Sequence, residues 1–127
     1  MRLKHVIAGA VLATALMPLS AHAVTEQNFG ARTMEDLVAL CSADPKEPMG
    51  VAARNFCHGY AQGAIEVQLE RQGRHRRFCF PNPSPSRSTT LDEFVQWARA
   101  HQDRMSDRAA DGLFAFMTER FPCPGKK

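Results

Sequence analysis

Apolar residues recur at three- and four-residue spacing in four stretches of this chain, and residues that cap or break helices bound each stretch. In the first, Met34, Leu37, Val38, Leu40 and Cys41 share one face. Thr33 stands at the N-cap position, Asp36 falls at the third helical position, and Glu35 adds a second acid to the first turn. Asp44-Pro45 ends this helix, and Pro48 and Gly50 prolong the turn. The second and longest stretch covers residues 51–71. There Phe56, Cys57, Tyr60, Ala61, Ala64, Ile65, Gln68 and Leu69 form one mostly apolar face. Gly59 and Gly63 lie four apart on a neighbouring stripe. Each costs about 1 kcal/mol relative to Ala in a helix interior. Close approach of another helix, within the domain or across a dimer, is the expected compensation; the plainer alternative is a locally weakened helix.

Gly73 stops the second helix, and residues 72–89 form the longest irregular stretch. Pro81, Pro83 and Pro85 exclude a helix interior and a central strand there. Thr90 and Glu93 then read as a capping box opening a third helix, with Leu91, Phe94, Val95 and Ala98 inside and Trp97 at the edge. After a polar turn at 101–106, Ser106 is placed to cap a fourth helix. Its buried side would be Ala110, Leu113, Phe114, Met117 and Phe121, and Pro122 stops it. No strand alternation and no internal repeat occurs. The predicted fold class is all-α, a compact four-helix domain.

The N-terminus changes the picture of charge and compartment. Arg2, Lys4 and His5 precede an apolar run at 6–16, and Ala21-His22-Ala23 supplies the small residues that a signal peptidase reads. Cleavage after Ala23 is expected. The apolar run falls short of the roughly 20 residues that span a bilayer, so a cleaved signal is preferred over a retained membrane anchor. The expected mature chain, residues 24–127, has 104 residues, enough for one domain. Its opening, 24–32, reads as a flexible lead-in. Loss of Arg2 and Lys4 leaves 14 basic against 13 acidic residues, a net charge of +1. A nucleic-acid partner thereby loses its electrostatic support.

Export also changes the meaning of Cys41, Cys57, Cys79 and Cys123. An even cysteine count in an oxidising compartment predicts a disulfide framework, and four cysteines allow three pairings. Sequence order favours Cys41–Cys57 and Cys79–Cys123. A zinc site lacks any C-x-x-C or H-x-x-x-H spacing. Cys57 and His58 are helix neighbours whose side chains diverge by about 100°, which disfavours a catalytic pair. Glu66 and Glu70 are four apart and read as a solvated face. No phosphate loop and no nucleophile elbow is present. The sequence therefore supplies no catalytic residue, no metal ligand set and no cofactor site. Arg71, Arg74, His75, Arg76 and Arg77 form a basic cluster at the start of the irregular stretch, suited to an acidic surface or to plain solvation.

Four blocks in order carry a resemblance: Leu40-Cys41, Cys57-x-Gly59-Tyr60-x-x-Gly63, Phe78-Cys79-x-Pro81 and Pro122-Cys123. Over residues 33–123 the chain resembles the Rap/Tai family of periplasmic immunity proteins associated with type VI secretion. The resemblance implies an all-helical domain with disulfides, often a homodimer, whose members bind and block peptidoglycan amidase toxins. Gly59, Tyr60, Gly63, Pro81 and Pro122 are its structural motif residues. A periplasmic toxin inhibitor, not an enzyme, is the leading expectation. The rival is a small periplasmic stress or chaperone-like binding protein without a toxin partner. The irregular stretch with Arg74, Arg76 and Arg77 is the expected contact surface.

Overall fold

Four α-helices form where the apolar spacing places them: α1 (Met34–Cys41), α2 (Gly50–Gln72), α3 (Arg87–Ala100) and α4 (Ala109–Arg120). The structure is a computed structural model describing residues 23–125, so the expected export signal, apart from Ala23, lies outside the described residues. Helix α1 is only eight residues long, yet Met34, Leu37, Val38, Leu40 and Cys41 are all buried. It packs against each of the other three helices and forms the centre of the core. An isolated helix of that length is unstable in water, so its stability comes from this packing.

The start of α1 shows how its free N–H groups are satisfied. Asp36 N–H donates to Thr33 Oγ1 at 3.2 Å, as the sequence predicts. Met34 N–H donates to the Asp107 carbonyl at 2.8 Å and Glu35 N–H to the Met105 carbonyl at 3.0 Å. The segment before α4 thus closes the N-terminus of α1, and an isolated antiparallel bridge pairs Thr33 with Arg108. Asp36 in turn accepts from Asn28 Nδ2 and from the backbone N–H groups of Arg32 and Thr33. Partial burial pushes the Asp36 carboxyl up, but these hydrogen bonds together outweigh it and hold the group below its ordinary range.

Two close approaches depend on glycine. A Cβ at Gly112 of α4 would collide with the buried Met34 side chain, and one at Gly50 with the backbone carbonyl of Asp44. Around α1 an aromatic chain runs from Phe78 to Phe80, Phe121 and Phe116, which meets both Phe94 and Trp97, with ring centroids 5.1–6.5 Å apart. Each buried Phe contributes roughly 1.5–3 kcal/mol through its removal from water.

Both expected disulfides are present, with Cα–Cα separations of 5.1 Å for Cys41–Cys57 and 4.8 Å for Cys79–Cys123. They close loops of 16 and 44 residues. On loop-closure entropy these are worth about 3 and about 4 kcal/mol. The first ties the end of α1 to α2 inside the core. The second ties the irregular stretch to the segment after α4.

Several local expectations are corrected. Helix α3 begins a turn earlier than the Thr90–Glu93 capping box implies. Ser86 is the N-cap, its Oγ accepting from Thr89 N–H at 3.1 Å. Thr90 is buried in the first turn and donates back to the Ser86 carbonyl, while Glu93 pairs with Arg120. Helix α4 is not capped by Ser106; its N-cap is Arg108. The carbonyls of Met105 and Asp107 are engaged with α1, which delays the helix to Ala109. Phe116 belongs to the buried face of α4, where the sequence reading placed Phe114. Residues 24–32 are not a loose lead-in. Glu26–Gly30 form a 3-10 helix, and Val24 and Ala31 are buried. Ala31 has φ of 41°, a left-handed position filled by alanine because its methyl joins the core.

Candidate partner-binding surface

The irregular segment, residues 73–86, is fixed to the domain at its middle. Phe78 is fully buried, Cys79 N–H donates to the Phe121 carbonyl at 2.8 Å, and the Cys79–Cys123 bond lies beside it. The end of α2 adds a second hold: Gln72 Oε1 accepts from Arg77 N–H at 2.8 Å, and the Gln72 carbonyl from His75 N–H. Between these holds, Arg74, Arg76 and Arg77 are exposed. The Arg76 carbonyl sits 3.5 Å from Cys123 Sγ. The local sequence explains the arrangement. Gly73 turns the chain with a φ of 49°, and the apolar Phe78-Cys79-Phe80 block then returns to the core.

The charges near this segment include Asp111 on α4. Its carboxyl is lowered chiefly by a hydrogen bond from Arg108, with Arg77 and Arg104 also acting through their charge. Tyr60 on α2 is half-buried and stacks on Phe56 at 6.3 Å. Burial raises its phenol, and the Asp111 charge adds to that. Pro81 and Pro122 are exposed and flank the two half-cysteines of the surface disulfide.

The expected packing role of Gly59 and Gly63 does not hold within the domain. Both are exposed, and a Cβ at either would meet nothing within 4 Å. The reason is the direction of α2: Ala53, Cys57 and Ala61 face the core, and the glycine stripe faces away from it.

Sequence reasoning missed a second feature. Two open cavities of about 560 and 360 Å³ lie side by side along α2, between it and the start of α3. Arg54, His58 and Arg87 line the larger one. Helical spacing could have grouped Arg54 with His58, but nothing in the sequence brings Arg87 beside them. Among the described residues no group of His, Cys, Asp and Glu is arranged to hold a metal ion. No helix among them is long and apolar enough to cross a membrane. The surface presents exposed arginines, an open helix face and a cleft.

These features define a small disulfide-stapled helical domain with a fixed basic segment at its surface. The family model of the Rap1a immunity proteins matches residues 33–123, from the N-cap of α1 to the last half-cysteine, and the chain belongs to that family. No curated protein and no solved structure matches it.

Proposed function

We propose that this protein is exported, cleaved near Ala23, and acts in the periplasm by binding and inhibiting a peptidoglycan amidase-type toxin delivered by type VI secretion. The observation that carries the reading is membership of the immunity family across the whole stapled domain. The contact surface is the segment 73–86 with Arg74, Arg76 and Arg77. A segment held by a disulfide and a buried Phe loses less entropy on entering a cleft than a free loop does. Its arginines speed encounter with an acidic toxin surface. The resemblance extends the proposal to a homodimer, which sedimentation at micromolar concentration reads directly.

The test is protection. A candidate amidase toxin, encoded beside this chain and directed to the periplasm, should lyse cells that lack the protein and spare cells that express it. The purified pair should form a stable complex. Replacing Arg74, Arg76 and Arg77 by Ser should slow association and flatten its salt dependence while the fold persists. Lysis that proceeds equally with and without the protein, for every such toxin, would remove the immunity reading.

A further inference from the structure

One stripe of α2 passes through Arg54, His58, Gln62, Ile65 and Leu69, and it lines both cavities described above. Arg87, the first residue of α3, is shared between them, so the two form one cleft in two parts. The larger part is basic: Arg54, His58 and Arg87 converge on it with Asn55, and no acidic side chain lines it. Among the described residues, none of those three side chains takes part in a hydrogen bond or ion pair. Gly59 also lines this part, and a Cβ there would meet nothing within 4 Å, so the position has room for a larger side chain. The smaller part is apolar, with Ile65, Leu69, Phe80, Pro85 and Leu91 around it. Its acid, Glu66, accepts a hydrogen bond from Gln62 at 2.9 Å.

Two guanidinium groups without acid partners at a recessed site favour an anion, and a carboxylate matches their fork geometry. An apolar cavity beside them favours a bulky hydrocarbon side chain. We infer that this cleft seats a segment of the partner protein carrying an Asp or Glu next to a large apolar residue. The carboxylate lies among Arg54, His58 and Arg87, and the apolar side chain rests against Ile65, Leu69 and Phe80. The inference rests on the reading of the chain as a protein-binding inhibitor. It adds a second contact to the basic segment, whose residues Phe80 and Pro85 form one wall of the cleft.

The test needs no toxin. The purified ¹⁵N-labelled protein is titrated with the capped pentapeptide Gly-Asp-Leu-Phe-Gly and, separately, with versions carrying Lys for Asp or Ala-Ala for Leu-Phe. Saturable shifts of the amides of His58, Gly59, Ile65 and Arg87 are expected with the first peptide. At least tenfold weaker binding is expected with either control. The Arg54→Ser/Arg87→Ser variant should lose at least tenfold for the acidic peptide while its spectrum otherwise stays dispersed. Gly59→Gln, which fills the basic part without removing a charge, should weaken binding similarly. Absence of saturable shifts at these amides overturns the inference, as does equal binding of the lysine peptide or unchanged binding by both variants. That result would leave the immunity reading to its own protection assay, and failure of protection would leave the peptide result intact.

Discussion

The two halves of α2 have the same backbone and opposite surroundings. From Gly50 to Ala61 one face of the helix is built into the core. Gly50, Ala53, Cys57 and Ala61 are buried, and Cys57 is bonded to α1. Beyond Ala61 no residue of the helix is buried. Ala64, Ile65 and Leu69 are only partly covered, and Val67 is 54 % exposed. The glycines of α2 divide by the face they occupy. Gly50 is required by a backbone that leaves no room for a Cβ, whereas Gly59 and Gly63 face open space. A glycine in a helix therefore says only that something is missing a side chain. The neighbour decides whether that absence is structural or serves a surface.

The largest loss of stability is expected at the staple of the packed half. The double change Cys41→Ala and Cys57→Ala should lower unfolding free energy by about 3 kcal/mol, the loop-closure value for 16 residues. Urea unfolding measures it, and a loss below 1 kcal/mol would show that packing alone holds α1 to α2. Next is Gly50→Ala. The added methyl must displace the Asp44 backbone, and a loss of about 1–3 kcal/mol is expected from overpacking. An unchanged midpoint would mean that the turn before α2 yields freely.

The glycines on the open face of α2 should respond with the opposite sign. Gly59→Ala and Gly63→Ala should each raise stability by up to about 1 kcal/mol, because helix propensity improves and nothing is struck. Calorimetry on the two single variants checks this; destabilisation by either would reveal a close neighbour such as a second copy. A gain in stability at Gly59 together with weaker peptide binding would also identify that glycine as a concession to the cleft.

The smallest expected effect is the pH response at the N-terminus of α1. The folded pKa of Asp36 lies below its ordinary value of 3.8, so the unfolded chain binds the proton more readily. The contribution is fully present above that value and is lost as pH falls through the lower folded value. The stability gap between the native protein and Asp36→Asn should therefore be largest near neutrality and shrink below pH 3.8. A gap that widens in acid would mean that the carboxylate is not held by its hydrogen bonds.

Much of the fold was legible because its signals are local. Helical spacing of apolar residues, Thr33 before Asp36, Gly73 at the end of α2 and Pro122 beyond α4 each act within a few residues of where they stand. The disulfide pairing followed from chain order, and the bonds are there. The family blocks were legible for the same reason, since each is a short run at fixed spacing. Of the candidate surface, the sequence showed the basic cluster at Arg74, Arg76 and Arg77 and the half-cysteine that fixes its segment. It did not show the cleft.

The remaining features depend on partners that are distant in the chain. Ser106 lost the α4 cap because the carbonyls on either side of it serve α1, some seventy residues earlier. Thr90 lost the α3 cap because Ser86 already satisfies the first turn. Gly112 and Gly50 proved to be the close-packing glycines because Met34 and the Asp44 backbone lie against them, and Gly59 and Gly63 did not because α2 turns them outward. The meeting of Arg54 and His58 with Arg87 depends on how α2 and α3 are set side by side. Residue spacing along one helix fixes which side chains share a face. It does not fix what that face meets, which is settled only when the whole core closes.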